Sequence, residues 1–159
     1  FSQREYDALL DYMQGRKLLV VRSDLIAKYG FEPEPSTADR EKIDKLSELY
    51  RVGWLQPPSV KEALEKAAVQ QTRRDELLGY LVNNNTLVKV SEELYFHRDA
   101  YDAALDLLRK HFADNQELTL AEFRDLSGSS RKFAQVLLEH FDQAKITRRV
   151  EDHRIPHKL

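Results

Sequence analysis

One helix-to-strand pattern occurs three times along this chain. Residues 6–22, 74–90 and 133–150 align with one another. Each opens on a Leu-Leu pair (Leu9/Leu10, Leu77/Leu78, Leu137/Leu138) that begins an apolar stripe at helical spacing. An aromatic or a further apolar side chain follows on the same face: Tyr12 and Met13, Tyr80 and Leu81, Phe141. The stripe then gives way to polar residues, and a β-rich run begins at Leu18, Thr86 or Ile146. The period switches from about 3.6 to 2, which marks a helix-to-strand junction. A repeat of this length is a small supersecondary unit used several times over.

The intervening residues supply the helices that complete each unit. Ser36 is a helix N-cap ahead of residues 37–50, where Ile43, Leu46, Leu49 and Tyr50 share one face. Pro57-Pro58 stops that passage. Ser59 caps a second helix over 60–68, with Glu62 in the third position of a capping box. A third helix is expected over 73–83, and strands over 86–90 and 93–97 flank Ser91-Glu92 as a hairpin. Asn83-Asn84-Asn85 is a turn by composition.

The next unit repeats the plan more compactly. A helix over 101–111 carries Leu105, Leu108 and Phe112 on one side, and 117–119 is a short strand. Thr119 caps a helix over 120–126 with Glu122 three residues on. Gly128 supplies a turn, Ser129 or Ser130 caps the third helix, and residues 146–150 and 153–156 form the closing ribbon.

Three helices closed by a β-hairpin are a winged helix. The expected fold is therefore mainly α with short β-hairpins (α+β), arranged as tandem winged helices. Residues 1–32 are the C-terminal part of a truncated unit, 33–99 a middle unit and 100–159 the last. No long linker separates them, so they are expected to pack as a stiff L or rod.

Charge distinguishes the copies. The 159-residue chain carries a net charge of −2. Residues 127–159 hold seven Lys/Arg and four Asp/Glu, a local balance of +3 that leaves −5 for residues 1–126. An acidic body with a basic end limits nonspecific attraction while permitting local phosphate contact. Ser129, Ser130, Arg131 and Lys132 stand at a helix start, where free N–H groups and the macrodipole favour an anion. Arg148 and Arg149 are neighbours on a strand and point to opposite faces. Arg154, His153 and His157 complete the cationic ribbon; Arg and His can stack on an unpaired base as well as bond to phosphate.

The middle unit lacks such an edge. Its third helix begins Thr72-Arg73-Arg74-Asp75-Glu76, and its wing sets Lys89 against Glu92 and Glu93. It reads as a spacer or packing partner. Trp54 beside Pro57-Pro58 is expected to plug the core between the first two helices. Tyr80, Tyr95 and Tyr101 also occupy core positions.

Several functions are excluded. There is no cysteine, hence no disulfide, zinc knuckle or thiol catalysis. No phosphate-binding loop, Gly-x-Gly-x-x-Gly, Gly-x-Ser-x-Gly or His-Glu-x-x-His motif occurs. The five His residues lack metal-ligand spacing on a helix, so no metal and no cofactor are expected. No apolar run approaches the ~20 residues that cross a bilayer, and no signal peptide is visible. The chain begins with Phe1 and reads as a fragment or a processed product.

The run Leu120-Ala-Glu-Phe-Arg-Asp-Leu-Ser-Gly-Ser-Ser-Arg-Lys-Phe-Ala, with Leu137-Leu-Glu-His-Phe-Asp, Thr147-Arg-Arg-Val and Asp152-His-Arg, resembles the C-terminal end of the bacterial selenocysteine-specific elongation factors (SelB). The similarity extends upstream through Trp54-Leu-Gln-Pro-Pro-Ser and through Leu87-Val-Lys-Val to Glu93-Leu-Tyr-Phe-His. It covers residues 36–159, and reaches 1–32 as the end of a preceding winged helix. The resemblance implies tandem winged helices behind a translational GTPase, the last of which binds an mRNA hairpin, the selenocysteine insertion element.

The contact residues it implies are Ser129, Ser130, Arg131, Lys132, Arg148, Arg149, His153 and Arg154, with His157 added from its place in the wing. Ribosome and selenocysteyl-tRNA would be engaged through portions of the full-length factor that this sequence lacks. It also implies a cytoplasmic, noncatalytic and monomeric fragment with no membrane partner. Glu151 departs from the pattern, standing where a Gly is expected in the wing turn.

Two rival readings come from other classes. A DNA-binding transcriptional regulator would lay its third helix in a major groove. Such proteins usually dimerise, and no leftover apolar helix is available for that. A protein-interaction scaffold would show no affinity for nucleic acid.

Overall fold

The computed structural model describes residues 2–15, 19–22, 25–28 and 35–159. The chain divides into two compact units, Phe1–Ser36 and Thr37–Leu159. In the first, helix α1 (Gln3–Gly15) precedes the antiparallel strands β1 (Leu19–Arg22) and β2 (Leu25–Lys28), with Val20 opposite Ala27. Leu9 and Tyr12 of its expected apolar stripe lie at the surface. The expected strand start at Leu18 lies outside the described residues.

The second unit holds two complete sets of three helices and a hairpin. The first set comprises α2 (Thr37–Gly53), α3 (Val60–Lys66), a short 3-10 turn (Gln71–Arg73), α4 (Arg74–Asn83), β3 (Leu87–Ser91) and β4 (Leu94–His97). The second comprises α5 (Arg98–Asp114), β5 (Leu118–Thr119), α6 (Leu120–Ser127), α7 (Arg131–Gln143), β6 (Thr147–Val150) and β7 (His153–Pro156). β5 adds to the final hairpin, giving the sheet order β5-β7-β6. This is the α+β winged-helix architecture expected from the repeats.

Caps start and stop these helices. The Ser59 hydroxyl accepts from the Glu62 N–H at 3.2 Å. Thr119 and Glu122 form a reciprocal capping box at the start of α6. α4 and α7 end identically. Asn85 and Lys145 adopt left-handed backbone with φ of 60° and 61°. Thr86 N–H then reaches back to the Leu81 carbonyl, and Ile146 N–H to that of Phe141, each at 2.9 Å. The fold of the third repeat copies the second down to its Schellman turn.

Two hydrophobic clusters lie side by side. One gathers Leu46, Tyr50, Leu64, Leu78, Leu87 and Tyr95. The other gathers Leu55, Leu94, Phe96, Leu108, Phe123 and Phe141. β4 joins them, because successive side chains of a strand face opposite ways. Its Tyr95 enters the first cluster while Leu94 and Phe96 enter the second. The His97 ring nitrogen accepts from the Asp99 N–H at 3.2 Å, so β4 passes into α5 without a linker.

The structure departs from expectation in places. α2 runs on to Gly53, where a Cβ would meet the Pro58 ring at 2.9 Å. Trp54 is not a core plug: it is 42% exposed, and the next residue, Leu55, is buried in the second cluster instead. The left-handed backbone of Trp54, with φ of 54°, ends the helical periodicity and turns Leu55 inward. In the middle hairpin Ser91 pairs with Leu94 after a register shift, so Glu92-Glu93 makes the turn expected at Ser91-Glu92. α5 starts at Arg98, three residues early, because His97 supplies the cap.

Candidate nucleic-acid interface

α7 buries Ala134, Leu137, Leu138 and Phe141, a run at helical spacing that faces the second cluster. Arg131 and Lys132, in its first turn, lie at the surface. Ser130 is the N-cap and its hydroxyl accepts from the Phe133 N–H. Ser129, the other candidate cap, is 8% exposed. Its hydroxyl donates instead to the Leu55 carbonyl at 2.7 Å. Beside it, the Gln56 amide donates to the Gly128 carbonyl at 3.4 Å. The loop after α2 thus holds the turn that delivers the start of α7.

The wing divides its cations between two jobs. Arg148 and Arg149 are exposed on β6. Arg149 lies opposite Arg154 on β7, and Arg148 opposite Ile155, so the two strand neighbours leave opposite faces. Arg149 also donates to the Glu151 carbonyl at 3.0 Å, bracing the wing turn. Glu151 itself has φ of 56°, the backbone that the missing Gly would adopt freely.

Arg154 turns inward and is 4% exposed. Its Nε donates to Asp142 at 3.3 Å, while the Thr147 hydroxyl donates to the other Asp142 oxygen at 2.6 Å. One carboxylate at the end of α7 therefore ties down both wing strands. His153 is half-buried between Asp152 at 3.3 Å and Glu117 at 3.5 Å. His157 is exposed, and its backbone N–H donates to the Ile146 carbonyl.

Of the nine residues singled out, Ser130, Arg131, Lys132, Arg148, Arg149 and His157 offer side chains to solvent. Ser129 and Arg154 spend theirs on the fold, and His153 is flanked by carboxylates. Among the described residues, Arg131, Lys132 and Arg148 have no carboxylate partner. Lys132 sits over the Phe133 ring at 5.5 Å.

The corresponding cations of the middle unit are all neutralised. Arg73 grips Asp39 through two hydrogen bonds of 2.6 and 2.8 Å and also meets Glu76 at 3.0 Å. These hydrogen bonds, that to Asp39 first, push its pKa well up. Arg74 pairs with Glu93 at 3.1 Å and bonds to the Glu92 carbonyl. Lys89 meets Glu92 at 3.0 Å, an interaction that lowers the Glu92 carboxyl below its ordinary range. The same fold thus presents one saturated edge and one open edge. Among the described residues no cluster of metal-ligating side chains occurs, and no helix is long and apolar enough to cross a membrane.

Sequence reasoning missed the bracing residues. Asp142 lacks a motif, and the Leu55–Ser129 bond joins positions 74 apart in the chain.

Comparison with known proteins places this geometry. Residues 110–155 match the family described as elongation factor SelB, winged helix. A selenocysteine-specific elongation factor from Desulfomicrobium baculatum is 38% identical over 105 residues, which cover 66% of this chain and 17% of that protein. The chain therefore spans less than a fifth of that relative. A solved structure of the mRNA-binding domain of elongation factor SelB from E. coli, in complex with SECIS RNA, is similar with a TM-score of 0.67 at 19% identity. That match covers 78% of this chain and all of the other. A crystal structure of a bacterial selenocysteine-specific elongation factor, EF-Sec, is similar with a TM-score of 0.65 at 18% identity, covering 96% of this chain and 24% of that one.

Proposed function

From the premise that this chain belongs to the C-terminal winged-helix region of the SelB elongation factors, we propose that its last winged helix binds an mRNA hairpin of the selenocysteine insertion type. The observation that carries this is the contrast in pairing. Arg131, Lys132 and Arg148 face solvent without a carboxylate, whereas Arg73, Arg74 and Lys89 of the middle unit are each held by one. Unpaired cations can release counterions and meet phosphates; paired ones must first lose their partners. The structural neighbour solved with SECIS RNA supports the same reading.

In this proposal Ser130, Arg131 and Lys132 grip phosphate and sugar at the start of α7. Arg148 and Arg149 reach the RNA from the wing, with His157 beside them. A splayed loop base is recognised by stacking and by its exposed edges, as in single-stranded RNA generally. Ser129, Arg154 and His153 serve by positioning. Residues 100–159 are the reading unit, 33–99 the spacer that holds it, and 1–32 the end of a preceding winged helix. The fragment is noncatalytic, monomeric and cytoplasmic. GTP hydrolysis, selenocysteyl-tRNA and ribosome contacts belong to the remainder of the factor.

The test is a titration of labelled RNA hairpin carrying an extruded loop base, beside duplex DNA of the same sequence. The RNA should bind more tightly; equal affinity would falsify the assignment. Arg131→Ala and Arg148→Ala should each weaken RNA binding by about 1–3 kcal/mol, the range for charge-assisted contacts. Arg73→Ala should leave it unchanged.

A further inference from the structure

We propose that Trp54 is a base-stacking platform, which extends the RNA site from the last winged helix onto the middle one. This rests on the RNA-binding reading above. It is carried by an exposed aromatic side chain on left-handed backbone, tied through its neighbours to the turn that precedes cations without a carboxylate partner.

Three observations support it. Trp54 is 42% exposed, and its neighbour Leu55 supplies the buried apolar contact at this corner. Its backbone is left-handed, with φ of 54°, which is costly for a bulky residue and which Gly would adopt freely. A large ring at a helix-ending position that favours Gly, with 42% of its surface left open to solvent, is an outlier of the sort that clusters at binding sites.

The second observation is its attachment. Leu55 is anchored in the second cluster, and its carbonyl receives the Ser129 hydroxyl at 2.7 Å. Gln56 bonds to the Gly128 carbonyl. Trp54 is thus tied, through one peptide and one hydrogen bond, to the turn that precedes Ser130, Arg131 and Lys132. Summing those steps puts its Cα no more than about 15 Å from that of Ser130. A few nucleotides of RNA cover that span.

The third is electrostatic. An open cleft that takes in Val52, Gly53 and Gln56, close to Trp54 in the chain, is also lined by Pro58, Glu48 and Glu62. Both carboxylates are already paired, with Arg51 at 2.5 Å and with Lys66 at 2.7 Å. An approaching strand therefore meets neutralised charge at this cleft. Aromatic faces beside basic groups are the combination on which unpaired bases stack.

Trp54 is the single tryptophan of the chain, so its fluorescence reports on this position alone. Labelled hairpin is titrated against the whole chain, with RNA anisotropy and tryptophan emission followed together. The expected result is quenching that saturates with binding. Trp54→Ala should raise Kd by about 5- to 150-fold, the range for one base-aromatic stack. Trp54→Phe should recover most of that loss, and making the stacked nucleotide abasic should bring the wild-type protein down to the Trp54→Ala level. Circular dichroism checks that the variants remain folded.

If the hairpin binds in an Arg131-dependent way but emission and the Trp54→Ala affinity stay unchanged, the platform is overturned and the RNA reading survives. If no hairpin binds, both fall together. Quenching by duplex DNA to the same extent as by the hairpin would also overturn stacking on an unpaired base.

Discussion

Arg154 and Asp142 form a buried ion pair at 3.3 Å that fastens the last strand of the wing to the end of α7. The Thr147 hydroxyl shares the carboxylate at 2.6 Å, so β6 and β7 hang from one residue. Removing Asp142 leaves a guanidinium that is almost wholly buried with nothing to compensate it. Asp142→Ala should therefore cost about 3 kcal/mol, the lower end for a broken buried pair because Asp142 keeps some contact with water. Replacing both partners by apolar residues, as in Asp142→Leu with Arg154→Met, should recover much of the loss. Urea midpoints of the two single variants and the double variant check this; an additive double variant would show that the pair is not coupled.

Salt dependence separates the two cationic edges. Each cation that no longer meets a phosphate should reduce the slope of log K against log salt by roughly 0.7–0.9. Arg131→Ala and Arg148→Ala should each flatten the slope by about that amount. Arg73→Ala and Arg74→Ala should leave the slope where it was, since their charge is already satisfied by Asp39, Glu76 and Glu93. Titrations between low and physiological salt measure it directly, and a slope change in Arg73→Ala would mean that the cationic edge of the middle unit also meets phosphate.

Left-handed backbone at two non-glycine positions predicts a gain. Lys145 closes the Schellman turn after α7 and Glu151 sits in the wing turn. The strain at each is partly offset by the extra chain entropy that Gly would carry in the unfolded state. Lys145→Gly and Glu151→Gly should each stabilise by roughly 0.5–1 kcal/mol. Glu151→Gly should also tighten RNA binding, because it removes an anion beside Arg149. Thermal melts and the hairpin titration check the two halves; a Glu151→Gly variant that melts lower would locate a use for its side chain.

These elements show what the sequence could and could not reveal. Helices, hairpins and caps were legible because they are local. The stripe Ala134, Leu137, Leu138 and Phe141 has helical spacing, and Thr119 with Glu122 is a capping box in four residues. The charge contrast between repeats was legible too, since each middle-unit cation has acidic neighbours nearby in the chain. Long-range choices were not. Arg154 reads as a wing cation until Asp142, twelve residues back, claims it. Ser129 reads as a cap until the Leu55 carbonyl takes its hydrogen bond. Trp54 reads as core because periodicity assumes the helix continues, and the left-handed turn after Gly53 exchanges it with Leu55.

His140 makes the stability of the last unit depend on pH. Its ring lies against Tyr101, whose hydroxyl is 3.1 Å from Nε2, with the ring centroids 5.6 Å apart. Burial pushes its pKa below the ordinary value, so the folded chain takes up this proton less readily than the unfolded one. The unfolded chain, titrating near the usual value of about 6.5, then binds a proton that the folded chain refuses. Stability is full above that value and falls as the pH drops toward the lower folded pKa, because the unfolded state gains protons first. Carboxylates held low by their partners, such as Glu92 and Glu122, act in the same direction but over a more acidic window. Urea midpoints at pH 7.5, 6.5 and 5.5 should decline, and His140→Gln should flatten the decline over that interval. An undiminished decline in His140→Gln would assign the acid sensitivity to another group.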